Sequence, residues 1–337
     1  MAQISVTDAA FTGFRVIRRN PGVLISWALL HIIMMAAFAW VFFTRFGPLF
    51  EQMQSFHAGA ATNPATAAAM IRQILPIYAY LVPIGLIMSV VIVGAANRAV
   101  LRPRESGLGY LRLGMDEIRL LVLMLAFLVL GIVFELVWGG ISFAVGFGVK
   151  TLLAKSAPTV PHFLPILIGV GLFIIGVIIV EVRLCLAPAQ TFATKKINLF
   201  GSWALTAGQF WPILGTFLLA FVLCIVVAIV VGVVVALLAM LAGGGMSLAM
   251  MHGGLHGAMS LHGDAMTSPA VKTLVQMRTL DWKAVAAVVT PFLVIQVIGG
   301  ALQNALVWAV LLTPTASIYR ALTADTSARV ATPLNMG

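Results

Sequence analysis

The stretch Phe210–Leu241, FWPILGTFLLAFVLCIVVAIVVGVVVALLAML, belongs to a longer segment in which no Lys, Arg, Asp or Glu occurs between Lys196 and Asp264. At about 1.5 Å per residue, a helix of this length exceeds the roughly 30 Å hydrocarbon core of a bilayer. In water such a surface would aggregate, but in lipid a helix satisfies its own backbone groups. Similar runs recur along the chain. Of the 337 residues, 61% are hydrophobic and only 9% charged, against about 25% charged in soluble domains. Mean hydropathy is +1.09. The reading is an all-α, polytopic membrane bundle, with residues 1–337 forming a single integral membrane domain.

Upstream of this run, residues 189–209 are mixed and partly amphipathic, and an apolar window at 163–186 stops before Pro188. A short turn with Pro158 and Pro161 separates it from another window at 120–148. Residues 98–119, RAVLRPRESGLGYLRLGMDEIR, are the most charged stretch. Further back lie a window at 75–97, a polar, Ala-rich connection at 44–74, and a first window at 22–43. Residues 1–20 place Phe11, Phe14 and Ile17 at helical spacing against Arg15, Arg18 and Arg19, the pattern of a helix in the membrane interface. Arg15, Arg18 and Arg19 followed by Ala37-Phe38-Ala39 imitate a cleavable signal, but the apolar run continues through Phe43 and suits a span better. Downstream, 243–283 is a loop rich in Gly, Met and His, and a sixth window at 284–313 contains Pro291. The windows give six spans.

Six spans place both termini on one side. The N-terminal segment, 98–119, 183–209 and the tail carry Arg15, Arg18, Arg19, Arg98, Arg102, Arg104, Arg112, Arg119, Arg183, Lys195, Lys196, Arg320 and Arg329, most of the 20 basic residues. The positive-inside rule makes that side cytoplasmic. It also explains the net charge of +10 without nucleic acid, for which no reading motif is present. The expected location is a bacterial inner membrane, crossed several times. Cys185 and Cys224 sit in or beside apolar runs and read as small hydrophobes.

An internal repeat is expected. Phe11-Thr-Gly-Phe14, Tyr110-Leu-Arg-Leu-Gly114 and Ser202-Trp203-Ala-Leu-Thr-Ala-Gly208 each precede a span as candidate interfacial amphipathic helices. Arg98-Ala-Val-Leu-Arg-Pro103 and Arg183-Leu-Cys-Leu-Ala-Pro188 share Arg-x4-Pro, and Tyr319-Arg320-Ala-Leu-Thr is a degenerate third copy. The inferred units are three tandem hairpins, about 1–109, 110–200 and 201–325, in parallel orientation.

The stretch 181–215, EVRLCLAPAQTFATKKINLFGSWALTAGQFWPILG, together with Ile318-Tyr319-Arg320-Ala321-Leu322, resembles a bacterial six-span inner-membrane family. That family includes the membrane domain attached to some glycerophosphoryl diester phosphodiesterases. The matching features are Arg183, Pro188, Ser202-Trp203 and Gly208-Gln209-Phe210-Trp211. The resemblance implies an inner-membrane protein. It implies no phosphodiesterase activity, because that chemistry lies in a separate soluble barrel, and it supplies no catalytic residue.

Glu135 lies near the middle of the third span, where an ionisable residue is costly and marks a site for a proton, cation or solute. The competing reading has it packing against His31, Asn97, Gln296, Gln303 or Asn304. Arg98, Arg183 and Arg320 end the three return spans; converging, they would bind a lipid phosphate or anionic solute, with Glu181 as the partner of one of them. Ordinary snorkelling accounts for the same arginines. In the 243–283 loop, Met246, Met250, Met251, His252, His256, Met259, His262, Asp264 and Met266 lie close together. Thioether and imidazole suit copper(I), while Met also serves as adaptable filler near a membrane. Gly140, Ala144 and Gly148 suggest close helix packing. No phosphate loop, zinc-hydrolase helix or nucleophile elbow occurs.

The sequence therefore points to a non-enzymatic protein without a resident cofactor, binding or transporting a lipid or small solute through Glu135, Glu181, Arg98, Arg183 and Arg320. The alternatives are a scaffold that anchors another protein or a second copy of itself, and copper handling by the Met/His loop. Membrane lipids are partners in every case.

Overall fold

The computed structural model describes residues 4–42, 44, 64–156, 163–243 and 282–331. Among these there is no strand, and six helices are long and apolar enough to cross a membrane. The protein is an all-α polytopic membrane bundle.

Ser5 caps the first short helix, α1 (Val6–Ala10), its hydroxyl accepting the Asp8 N–H at 3.3 Å. Helix α2 (Thr12–Arg19) ends at Asn20, and Pro21 leads into α3 (Gly22–Val41). Of the apolar residues that the sequence places in the interface, Phe11 is exposed and Phe14 and Ile17 are half-buried against the core, while a neighbouring stripe packs fully. Thr12, Gly13 and Val16 are buried, and Gly13 lies flush against the Ala309–Val310 backbone, closer than any side chain would allow. Arg18 and Arg19 remain exposed.

Helix α4 (Pro64–Leu101) begins eleven residues before the expected window. Pro64 suits a first helical turn and the Ala-rich run after it favours helix, so 64–74 belongs to the helix rather than to a connection. Pro76 and Pro83 lie inside it. The chain then turns through a 3-10 segment, Gly107–Tyr110, where Leu108, Gly109 and Tyr110 all have positive φ. A Cβ on Gly109 would lie 2.7 Å from Ser26 Cβ, and the Gly109 carbonyl accepts the Trp27 indole N–H at 2.8 Å. This turn therefore locks onto α3. Tyr110–Gly114 is consequently not the interfacial helix expected there, because Gly109 and the extended Leu111 and Gly114 break the pattern.

Helix α5 (Met115–Phe134) passes through a π turn (Glu135–Gly139) into α6 (Gly140–Ser156), and α7 (Phe163–Leu184) returns beside it. The α6–α7 contact is made by Gly146 and Gly169, each with a neighbouring carbonyl 3.0 Å from where a Cβ would sit. Gly140 and Gly148 meet nothing, so the expected small-residue face is the wrong one. The contact runs instead through Ser142 and Gly146. Pro188 opens α8 (Ala187–Thr194), which ends on Lys195 in the left-handed region. The short α9 (Gly201–Leu205) precedes α10 (Phe210–Gly243).

Helix α11 (Trp282–Ala331) is the axis of the molecule. It passes through Pro314 rather than ending near Thr313; the Thr313 hydroxyl donates to the Ala309 carbonyl at 2.7 Å within the turn before the proline. The buried ridge Ala301, Ala305, Ala309, spaced four apart, lets neighbours approach closely. Helices α1, α2, α3, α4, α8 and α10 all pack on α11. The α5–α7 hairpin does not share that arrangement. It joins the rest through α4, α8, α9 and α10, and α6 packs chiefly on α7.

Gly13→Ala places a methyl into the Ala309 backbone and is expected to cost about 1–3 kcal/mol. Gly140→Ala, which meets open space, is expected to be neutral. Unfolding of the two variants in mixed micelles checks the pair; equal stability would remove α2 from the packed core.

Candidate functional site

The end of the bundle that carries the loops 102–114 and 195–209 is rich in arginine and lysine and is called the basic end. Running from it into the membrane is a groove of about 580 Å³ between the α5–α7 hairpin on one side and α10 and α11 on the other. Met124, Phe127, Leu130 and Phe134 line it from α5, Leu214 and Phe217 from α10, and Leu311 and Leu312 from α11. These walls are apolar. Glu135, at the start of the π turn, and Glu181, on α7, are its two acids.

The helix register sets their relative depth. The Trp138 indole N–H donates to the Leu172 carbonyl at 3.2 Å, and the ring presses on Gly176. Ser142 lies beside Gly169. Extending this antiparallel register puts Glu181 about level with Gly131, and Glu135 about one helical turn deeper. Gly131 also lines the groove, and a Cβ there would meet nothing. A π turn is a frequent companion of functional sites, because it breaks the regular ladder.

The described acids divide cleanly. Asp8 pairs with Arg15, Glu105 with Arg98 and Arg112, Asp116 with Arg102 and Arg119, and Glu117 with Arg98. Among the described residues, Glu135 and Glu181 have no ion pair, so no arginine of another hairpin holds Glu181. None of the expected packing partners that the structure describes reaches Glu135. His31 meets the edge of Trp308, Asn304 donates to the Gly300 carbonyl at 2.9 Å, and Asn97 is buried on α4 away from it.

The three arginines have three different settings. Arg98 is buried. It donates to the Tyr110 carbonyl at 2.6 Å and to Glu117 Oε1, with Glu105 at 3.6 Å. Its guanidinium and that of Arg102 lie over the ring of Phe192 at 5.4 and 4.5 Å. Gly94 makes room, since a Cβ there would come within 2.9 Å of Glu117 Oε1. Arg183 lies 5.5 Å over Trp203, while Ser202 donates to the Arg183 carbonyl at 2.7 Å. Exposed Arg320 donates to the Val100 carbonyl at 3.3 Å. Arg98 is thus a clasp joining α4, α5, the 3-10 turn and α8.

Sequence reasoning misses Glu117 and Phe192. Glu117 sits in the most charged stretch and looks solvated. The available signal is its separation from Arg98 by a turn containing Pro103 and Gly109, which folds the two residues together. Met250, Met251, His252, His256, Met259 and His262 lie outside the described residues. Among those described, no group of metal-ligating side chains forms. Comparison with family models, with curated proteins and with solved structures finds no match.

Arg98→Met leaves the Glu117 carboxylate buried without its counter-charge, an expected cost of about 3–5 kcal/mol. Adding Glu117→Leu is expected to restore most of it, because the uncompensated charge goes too. Equilibrium unfolding of both singles and the double variant reads the coupling; strictly additive losses would contradict a clasp.

Proposed function

We propose that the protein binds a lipid or a small hydrophobic solute in the groove between the α5–α7 hairpin and α10–α11, and carries it within the membrane without chemical change. One observation carries this reading: a groove of about 580 Å³ with apolar walls and two unpaired acids. Ligand cavities commonly fall between about 300 and 1,000 Å³, mostly apolar with few polar groups. The groove lies between helices that cross the bilayer, so a ligand dissolved in lipid reaches it sideways without crossing water. Of the five residues the sequence offers, Glu135 and Glu181 are the ones that line it. Arg98, Arg183 and Arg320 hold the basic end together.

The charge distribution supports cytoplasmic termini, and the resemblance to the six-span family supports a bacterial inner membrane. A second reading, a scaffold for another protein, is favoured by the exposed Leu108 and Leu113 flanked by exposed Arg104 and Arg112 at the basic end.

Two experiments test these statements. Native mass spectrometry of the protein extracted in its own lipid patch is expected to find one bound amphiphile per chain. Gly131→Phe, which fills the groove from an open position, is expected to lower its occupancy at least about tenfold without changing thermal unfolding. An amphiphile retained by that variant sits elsewhere. Separately, a cysteine replacing exposed Arg104 is expected to react with an impermeant maleimide only after the cytoplasmic face is opened; reaction in intact cells reverses the orientation.

A further inference from the structure

We propose that the groove selects a lipophilic cation, an organic molecule with an apolar body and a positive group, over an anion of the same size. The inference rests on the groove reading above and specifies its ligand. It comes from where the protein places its charges. Asp8, Glu105, Asp116 and Glu117 are each neutralised by an arginine. Among the described residues Glu135 and Glu181 have no such partner, yet they line one cavity whose other walls are largely hydrocarbon. Both side chains are exposed to that space, and an unpaired acid at membrane depth is costly, so a positive group on the ligand supplies the partner they lack.

The basic residue nearest in sequence to Glu181 is committed elsewhere. Arg183 is two residues from Glu181, a spacing that sets the two side chains on different sides of a helix, and its guanidinium lies over Trp203. Among the described residues, an anion in the groove would therefore meet two carboxylates and no arginine. A neutral hydrophobe would leave both acids unpaired. A cation gains attraction from two carboxylates about a turn apart, and in apolar surroundings that attraction far exceeds its value in water. None of Arg98, Arg183 and Arg320 lines the groove; at this site recognition falls to the acids.

Tetraphenylphosphonium and tetraphenylborate are matched in size and opposite in charge, and both dissolve in membranes. Equilibrium dialysis of each radiolabelled ion against the full chain in uncharged maltoside micelles, with empty micelles subtracted, reads the selection directly. The expected result is one phosphonium per chain, with binding of the borate weaker by at least about a hundredfold. Glu135→Gln and Glu181→Gln are each expected to weaken the phosphonium about tenfold, and Gly131→Phe to abolish it. Thermal unfolding unchanged in all three shows that the fold persists.

Equal binding of both ions, lost in Gly131→Phe, overturns the cation assignment while leaving the groove as a binding site. Phosphonium binding indifferent to both glutamine substitutions also overturns it. If phosphonium does not bind at all, the assignment fails, and the co-purified amphiphile decides the groove reading independently.

Discussion

The pairing of Arg98 with Glu117 is the constraint on which the basic end is built. Both side chains are almost wholly removed from solvent, at 3% and 4% exposure. Taking two charges out of water is expensive, and a buried pair often adds little net stability over a well-packed apolar one. What it does impose is geometry. Arg98 needs the Tyr110 carbonyl as well as the carboxylate, so the 102–114 turn must fold back over α4. That fold in turn brings Gly109 beneath Ser26 and ties in α3. Phe192 closes the far side from α8. One pair of charges thereby aligns four parts of the chain.

The groove follows from the same arrangement. The hairpin is held near the basic end, where α5 meets α4 and α8. Its remaining length is stabilised by its own glycine contact between α6 and α7. Beyond the contacts of α7 with α9 and α10, the α5–α7 surface does not lie flat against α10 and α11, and the space between them stays open. Glu135 and Glu181 line that space, whereas Glu105, Asp116 and Glu117 are paired with arginines at the basic end. Among the described residues the charges are therefore separated by position: the acids near the basic end are paired, and Glu135 and Glu181 are not.

The membrane class and the six spans were legible because runs this long and this apolar are stable only as helices in lipid. Their ends were less so. Residues 64–74 look polar but are Ala-rich, and Pro314 looks like a stop, yet both lie within helices because local propensity and packing outweigh one unfavourable residue. Which way each span faces was not legible, since helices apolar all round carry no directional pattern. That is why the glycine stripe on α6 falls on the wrong face when read from sequence. Glu135 stood out because it interrupts an apolar run. Glu181 and Arg98 were legible as charges, but not their roles: proximity at the membrane edge suggested that the arginines act together, and only the folded turn reveals that Arg98 already has a partner. The burial of Glu117 depends on Gly94, a residue on another helix, and no local window contains that information.

The one-ended attachment of the hairpin makes it a lever. Its fulcrum lies at the clasp, and its long arm runs the depth of the bilayer. A rotation of about five degrees at the fulcrum moves a point about 30 Å along the helix by roughly 3 Å, comparable to the radius of a methylene chain. Small changes at the basic end are thus magnified into the width of the groove. Lateral pressure from the surrounding lipid acts on the long arm with the same mechanical advantage.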